Sequence, residues 1–355
     1  MLRLIVDLFK DRLPDHFVRY VFPLDRTHEV ARAMGSVVFD SGLNFSQRVD
    51  VAIQTLSVEP ADFVFVNTVR MAAFSVAATK MGIKNCIYVH EMGDSFAKLV
   101  QTGFLTLDAL EYPDTVLWAC NKAKRDWEMV AGTRSRSFVL ESCYSPKRFV
   151  VSDEIEQQKD YSAYFNKGPV VMSTGTVCLR KGFDRFVELA IAFSDVPFVW
   201  VGGFDINDPL QGGASIELAK KAPNLAITGN VADPQAILEQ ATIVLFLSRE
   251  DPNPLTIHEG VFHGSNYVAV IDGLGEAILP LSTGAAVASY DLDLMSHVIR
   301  QSIELERSCG TDLLEFRSSQ RKKRKKAFLP LVRTEDIFSK EARELLMGGV
   351  PGSDF

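Results

Sequence analysis

A chain of 355 residues, 47% hydrophobic and 23% charged, suits two soluble globular domains whose cores need no disulfide or metal staples. Its formal net charge of −7 speaks against general nucleic-acid binding, no uncharged run reaches the ~20 residues of a membrane span, and no secretory signal is visible after Met1. The cysteines Cys86, Cys120, Cys143, Cys178 and Cys309 form no CxxC pair and no zinc-ligand spacing, which fits reduced thiols in the cytoplasm.

The chain opens on "MLRLIVDLFKDRL", where Leu2, Ile5, Val6, Phe9 and Leu13 follow helical spacing. Apolar strand runs then alternate with helix-like runs. In the first half the strands are "HFVRYVF", "SVVFDS", "DFVFVNT", "NCIYVHE", "TVLWACN" and "SFVLES". Between them lie helical stretches such as "FSQRVDVAIQTLS" and "VRMAAFSVAATKMG". A polar break at 152–168 reads as linker and divides a first domain, 1–160, from a second, 168–330. The second half supplies "PVVMSTG", "FVWVGG", "NLAITGN", "TIVLFLS", "NYVAVID" and "AAVASYD". Nearly unbroken apolar strands at βα spacing predict parallel sheets covered on both faces. The expected architecture is α/β, two Rossmann-like domains whose strand ends line a central cleft. Residues 331–355 read as a last helix and tail.

The charge is segregated. Residues 317–326, "RSSQRKKRKK", carry seven basic groups and no acid; without them 31 basic groups face 45 acidic ones, a net of −14. The run is either a solvated helical surface or a contact for an anionic membrane surface, which would make the protein peripheral on the inner face of the membrane.

The stretch "SREDPNPLTIHEG", residues 248–260, concentrates candidate chemistry. Asn253 suits an N-cap and Pro254 the first helical position. The helix mouth near Leu255 and Thr256 offers backbone N–H groups and a positive dipole end, a site for phosphate. Glu250 and Asp251 would repel a phosphate but suit sugar hydroxyls, and Glu259, about a turn and a half into the helix, reaches a second hydroxyl pair. Sugar hydroxyls, phosphate and sugar hydroxyls in that order match a nucleotide sugar. The competing reading is capping by Asp251 and Asn253, with Glu259 an ordinary surface residue.

The same stretch, followed by "GSNYVAV", resembles the signature of retaining glycosyltransferases of family 4, which have the GT-B fold. The family's acid, seven residues and Glu correspond to Asp251 and Glu259. The resemblance implies that Asp251 contacts the donor sugar, that Glu259 contacts the ribose, and that the amides of Leu255 and Thr256 hold the diphosphate. "STGTVCLRKGFDRFVELA" resembles the family's first donor-domain loop, with Lys181 at the diphosphate lysine. Gly175 is followed by Thr176 where the family often has arginine, and Arg180 is the nearby replacement. "FVWVGGFD" matches the second strand with its turn at Gly203, and the turn Gly229–Asn230–Val231 borders the base. The likeness covers about residues 168–275. More weakly, "DFVFVNTVRMAAFSVAATKMGIKNCIYVHEM" resembles the first-domain segment ending in His-Glu, which implies His90 beside sugar and acceptor and Glu91 toward the acceptor; a lone strand-end histidine has a structural reading too. The family's usual first strand and glycine-rich loop are missing, since no glycine precedes Gly35, so the chain is either a segment of a longer protein or replaces that unit.

The resulting expectation is retaining transfer of a sugar from a nucleotide-diphosphate sugar to a glycan or lipid-linked saccharide, with His90, Asp251 and Lys181 at the chemistry. No cofactor and no metal is expected; "DLDLM" at Asp291 and Asp293 reads as a helix start. The alternatives are a catalytically degenerate glycosyltransferase-like module within a larger protein or complex, an epimerase on the same fold, and a dinucleotide oxidoreductase, which lacks the GxGxxG fingerprint.

Overall fold

The structure, a computed structural model, describes residues 21–23, 37–39, 42–58, 60–132, 136–140, 168–204, 214, 216–231, 234–252, 254–263, 265–274, 284–308, 319, 322 and 323. The expected N-terminal helix, the 152–167 linker, Asn253 and the C-terminal tail lie outside these residues, as does most of the basic run, of which Lys322 and Lys323 are exposed. The chain divides at residue 142 into two compact units.

In the first unit, β1 (Val21–Pro23) and β2 (Val37–Phe39) pair in parallel. Four further parallel strands follow in the order β3 (Phe63–Val66), β4 (Lys84–Val89), β5 (Thr115–Trp118) and β6 (Ser137–Val139). Helices α1 (Phe45–Val58), α2 (Ala72–Lys80), α3 (Gly93–Gln101) and α4 (Asn121–Ala131) alternate with them. Side chains alternate across the pleat. Val66, Ile87, Val89, Val116 and Trp118 join the core that holds Val49, Phe74, Phe96 and Trp127, while Cys86, Tyr88, Leu117 and Leu140 form a second cluster. Every residue of "AAFSVAA" in α2 is buried, which its small side chains permit at close packing distance. Cys86 and Cys120 are buried free thiols, as apolar strand positions imply.

Among the described residues the second unit holds six parallel strands: β7 (Val171–Thr174), β8 (Phe198–Val201), β9 (Leu225–Ile227), β10 (Ile243–Phe246), β11 (Asn266–Val270) and β12 (Gly284–Val287). Their order is β12-β11-β10-β7-β8-β9. Read from the far edge this is 3-2-1-4-5-6, the doubly wound order of nucleotide-binding sheets. The direction of winding reverses between β7 and β10, which are neighbours in register Ile243 with Val171.

Both faces of this sheet are covered. Val171, Phe198, Trp200, Ile243 and Leu245 pack with α5 (Phe183–Ala192) and α8 (Leu292–Arg307). Met172, Val199, Val201 and Val244 pack with the end of α6 (Pro234–Leu238), and Phe246 and Tyr267 pack with α7 (Leu255–Phe262). Alternate residues of each strand thus serve opposite layers, which is why the strand runs are apolar throughout. Asp291 caps α8, accepting from Leu294 N at 2.7 Å, so this acid opens a helix as its spacing implies.

Candidate functional site

Two loops of the second unit meet where its strand order reverses, one after β7 and one after β10. In open parallel sheets, ligands bind beyond the carboxyl ends of the strands at this point.

The β7 loop hangs from its neighbour strand. Gly175 N donates to Val201 O at 3.0 Å, Val177 N to Gly203 O at 2.8 Å, and Trp200 Nε1 to Gly175 O at 2.8 Å. At Gly202 a Cβ would stand 2.0 Å from Gly175 O, so only glycine lets the two loops lie together. Gly202 also bridges Gly229, and Asn230 Oδ1 lies against Gly203. The turn at Gly203 and the turn expected to border the base are therefore in contact, with Val231 packed on the core beneath.

A single 3-10 turn, Leu179–Lys181, follows and ends at Gly182. Thr176 sits half-buried before that turn, and the Lys181 stem packs against Gly175. Lys181 Nζ donates to Asp251 Oδ2 at 2.5 Å, with the two side chains 23% and 11% exposed. Around this pair the two loops are cross-linked. Arg180 donates to Glu250 O at 3.0 Å, and Arg249 N donates to Arg180 O at 2.8 Å. The Arg249 guanidinium grips both oxygens of Asp184, at 2.7 and 2.5 Å, and also donates to Leu179 O. Arg180, the expected stand-in for a phosphate arginine, thus holds a loop carbonyl.

The backbone of Asp251 is fixed independently of its side chain: its N donates to Gly273 O at 2.8 Å and it bridges Leu274. Asp251 does not cap α7, so its part of the capping alternative fails, while Asn253 lies outside the described residues. The N-cap is Pro254, with extended ψ of 102°, and its own side chain makes no capping hydrogen bond. Pro254 therefore precedes the helix, which starts at Leu255. The first-turn amides of Leu255 and Thr256 have no earlier turn to bond, so they form a donor-rich mouth. Thr256 Oγ1 is 2.6 Å from Thr174 Oγ1, tying the mouth to the end of β7. A Cβ on Gly260 would lie 2.7 Å from Val244 Cγ2, so α7 rests directly on β10.

Glu259 is not an ordinary surface residue. Burial pushes its carboxyl above the usual range, and no hydrogen-bond or ion partner holds its side chain among the described residues. An anion costs free energy to desolvate unless something donates to it. Because its folded-state pKa is raised, Glu259 burdens the fold at neutral pH and not below the ordinary glutamate value of about 4.3. Glu259→Gln is expected to melt higher than the parent at pH 7–8, with the difference closing as pH falls to about 4. Paired thermal melts across pH check this. Neighbouring His258 is pushed down to about 4 by burial, so it stays neutral at pH 7.

In the first unit, His90 follows β4. Its Nε2 lies 2.6 Å from Asn67 O, an atom that can only accept, so Nε2 carries a proton and donates it there, which fixes the ring. Glu91 accepts from Thr68 Oγ1, and from Val69 N and His90 N at 3.3 Å each. Its carboxylate therefore braces the ends of β3 and β4.

The sequence reading missed Thr174, Asp184 and Arg249. Asp184 and Arg249 lie three and two positions from Lys181 and Asp251, but only the adjacency of β7 and β10 pairs them. Among the described residues, no group of three or more His, Cys, Asp or Glu side chains is placed to hold a metal ion, and no helix is long and apolar enough to cross a membrane.

No protein-family model matches the chain, and no curated protein matches it. Solved structures do. The chain is similar to a glycosyltransferase from Rickettsia africae ESF-5 at 16% identity, covering 99% of this chain and 95% of that one, with a TM-score of 0.64. Anabaena HepE in complex with UDP and glucose matches at 14% identity over 97% and 94% of the chains, TM-score 0.68. Sucrose-phosphate synthase from Thermosynechococcus elongatus matches at 15% identity over 86% and 78%, TM-score 0.63. The likeness is one of fold: the chain has the GT-B fold, two Rossmann-like α/β units. It does not single out family 4 among the families that share this fold.

Proposed function

We propose that the chain is a retaining glycosyltransferase of the family 4 type. It moves a sugar from a nucleotide-diphosphate sugar to a hydroxyl of a glycan or lipid-linked saccharide. The observation that carries this reading is the Lys181–Asp251 pair beside the N-terminal mouth of α7, at the point where the sheet reverses its winding. A diphosphate there accepts hydrogen bonds from the amides of Leu255 and Thr256 and takes the charge of Lys181. Asp251 accepts from hydroxyls of the carried sugar, and Glu259, half-buried and with no donor among the described residues, accepts from the ribose. As the glycosidic bond breaks, negative charge builds on the diphosphate, and Lys181 and the helix dipole stabilise it more than they stabilise the intact donor. These groups serve where other enzymes place a metal ion. The turns at Gly203 and Asn230–Val231 border the base. His90 serves the sugar and acceptor, and Glu91 holds the backbone beside it. That HepE was crystallised with UDP and glucose supports a nucleotide-sugar donor. The basic run 317–326 supplies a contact for an anionic membrane surface on which a lipid-linked acceptor lies.

Calorimetry and donor hydrolysis with a panel of UDP- and GDP-sugars test this. One nucleotide sugar is expected to bind and to be consumed with an acceptor. Glu259→Ala is expected to weaken that donor by ~10-fold or more, the worth of a hydrogen bond to a charged group. If no nucleotide sugar and neither UDP nor GDP binds, the reading fails. A second reading, a donor-binding module without transfer of its own, draws on Glu91, whose carboxylate is spent on neighbouring backbone and Thr68. Binding without turnover, with turnover restored by a partner or a longer chain, favours it.

A further inference from the structure

Resting on that reading of the donor site, we propose that Asp251 makes the site select a diphosphate that carries a sugar over a bare nucleoside diphosphate, by acting as the counter-ion of Lys181 until sugar hydroxyls replace it.

The ion pair is in direct contact, and both side chains are largely shielded from water. Lys181 therefore does not wait as an uncompensated cation. A diphosphate reaching the mouth of α7 must draw Lys181 away from Asp251, and it leaves a shielded carboxylate beside an arriving anion. Like charges in such a setting repel strongly because screening is weak. A bare diphosphate offers Asp251 nothing in return. A sugar-linked diphosphate brings hydroxyls, which donate to the carboxylate and restore its hydrogen bonding. The carboxylate thus counts against one ligand and for the other, which is how a site discriminates by an unpaired charge in the wrong complex. After transfer the sugar has gone, and Asp251 reclaims Lys181 as the nucleoside diphosphate leaves. The backbone bonds of Asp251 to Gly273 and Leu274 keep the carboxylate in place through this exchange.

The test measures affinities of UDP, GDP, UDP-glucose, GDP-mannose and inorganic pyrophosphate for the full chain, its Asp251→Asn variant, Lys181→Gln and the double variant. Asp251→Asn keeps the shape and removes the charge. It is expected to tighten the preferred nucleoside diphosphate and pyrophosphate by tenfold or more, while its nucleotide sugar binds no tighter. In the Lys181→Gln background that gain is expected to shrink to under threefold, a coupling that a general change in packing would not produce. Unchanged or weaker binding of both diphosphate probes to folded Asp251→Asn overturns the proposal, even when the parent binds a nucleotide sugar. If the parent binds no nucleotide at all, the glycosyltransferase reading falls separately, and the pyrophosphate arm still decides for or against the counter-ion role.

Discussion

Lys181→Ala is expected to lower turnover of the preferred nucleotide sugar by about 10²–10³-fold, the range found when one preorganised donor to a developing charge is removed. The lysine is expected to matter more for turnover than for donor binding. In the donor complex Lys181 faces a diphosphate whose charge is partly masked by the sugar. On the proposed reading the departing diphosphate gains charge in the transition state, and Lys181 is the side-chain cation that stabilises it. The loss should therefore fall on kcat, with a smaller rise in KM, which is the pattern of an interaction strengthened in the transition state. Initial-rate kinetics with far-ultraviolet circular dichroism as a folding control check it. A variant that keeps its fold and turns over as fast as the parent removes Lys181 from the chemistry.

The second large effect is on stability. Gly182 has φ +76°, and a Cβ there would stand 2.1 Å from Leu247 O and 2.8 Å from Leu247 Cβ. Gly182→Ala must adopt a left-handed backbone, which costs about 1–2 kcal/mol, and must also push β10's exit away from the turn carrying Lys181. The total is expected to be on the order of 3 kcal/mol or more, large for a single methyl group. Gly82 provides the comparison. It has φ +73° with nothing within 4 Å of a Cβ, so Gly82→Ala carries the backbone term alone, roughly 1 kcal/mol. Urea unfolding of both variants separates the two terms. Equal losses would show that the contact with Leu247 relaxes freely. Donor binding should fall with Gly182→Ala alone, because the displaced turn holds Lys181 and Arg180 against Asp251 and Glu250.

The sequence placed the strands well because buried parallel strands announce themselves. "TIVLFLS" and "FVWVGG" contain no charge, and each became a strand whose alternate residues feed opposite cores. The helix after "SREDPNP" was legible from its apolar run, and its start shifted by a single residue because proline at the boundary suits both the cap and the first turn. The role of Arg249 was not legible. It stands beside Asp251 in the chain, yet its work is to clamp Asp184, 65 positions earlier. Arg180 resembles a phosphate ligand by type and position and also braces the carbonyl of Glu250, a contact that no local pattern announces. Glu259 reads as a ribose ligand or, in the competing reading, as a surface acid, and only the folded structure shows that burial pushes its carboxyl above the usual range.

Composition and pattern alone determined that this chain forms two units of parallel βα structure and that an acid-flanked helix mouth follows one buried strand. Those properties are local: they depend on which faces of a strand or helix must leave water, and period and turn chemistry record that. The tertiary structure decided that Lys181 meets Asp251, 70 residues away, that Arg249 and Asp184 lock the two loops, and that Glu259 is half-buried with its carboxyl pushed above the usual range. Those facts depend on strand order. β7 and β10 became neighbours because the sheet winds in the 3-2-1-4-5-6 sense, and that choice is made by the packing of whole layers rather than by any stretch of residues.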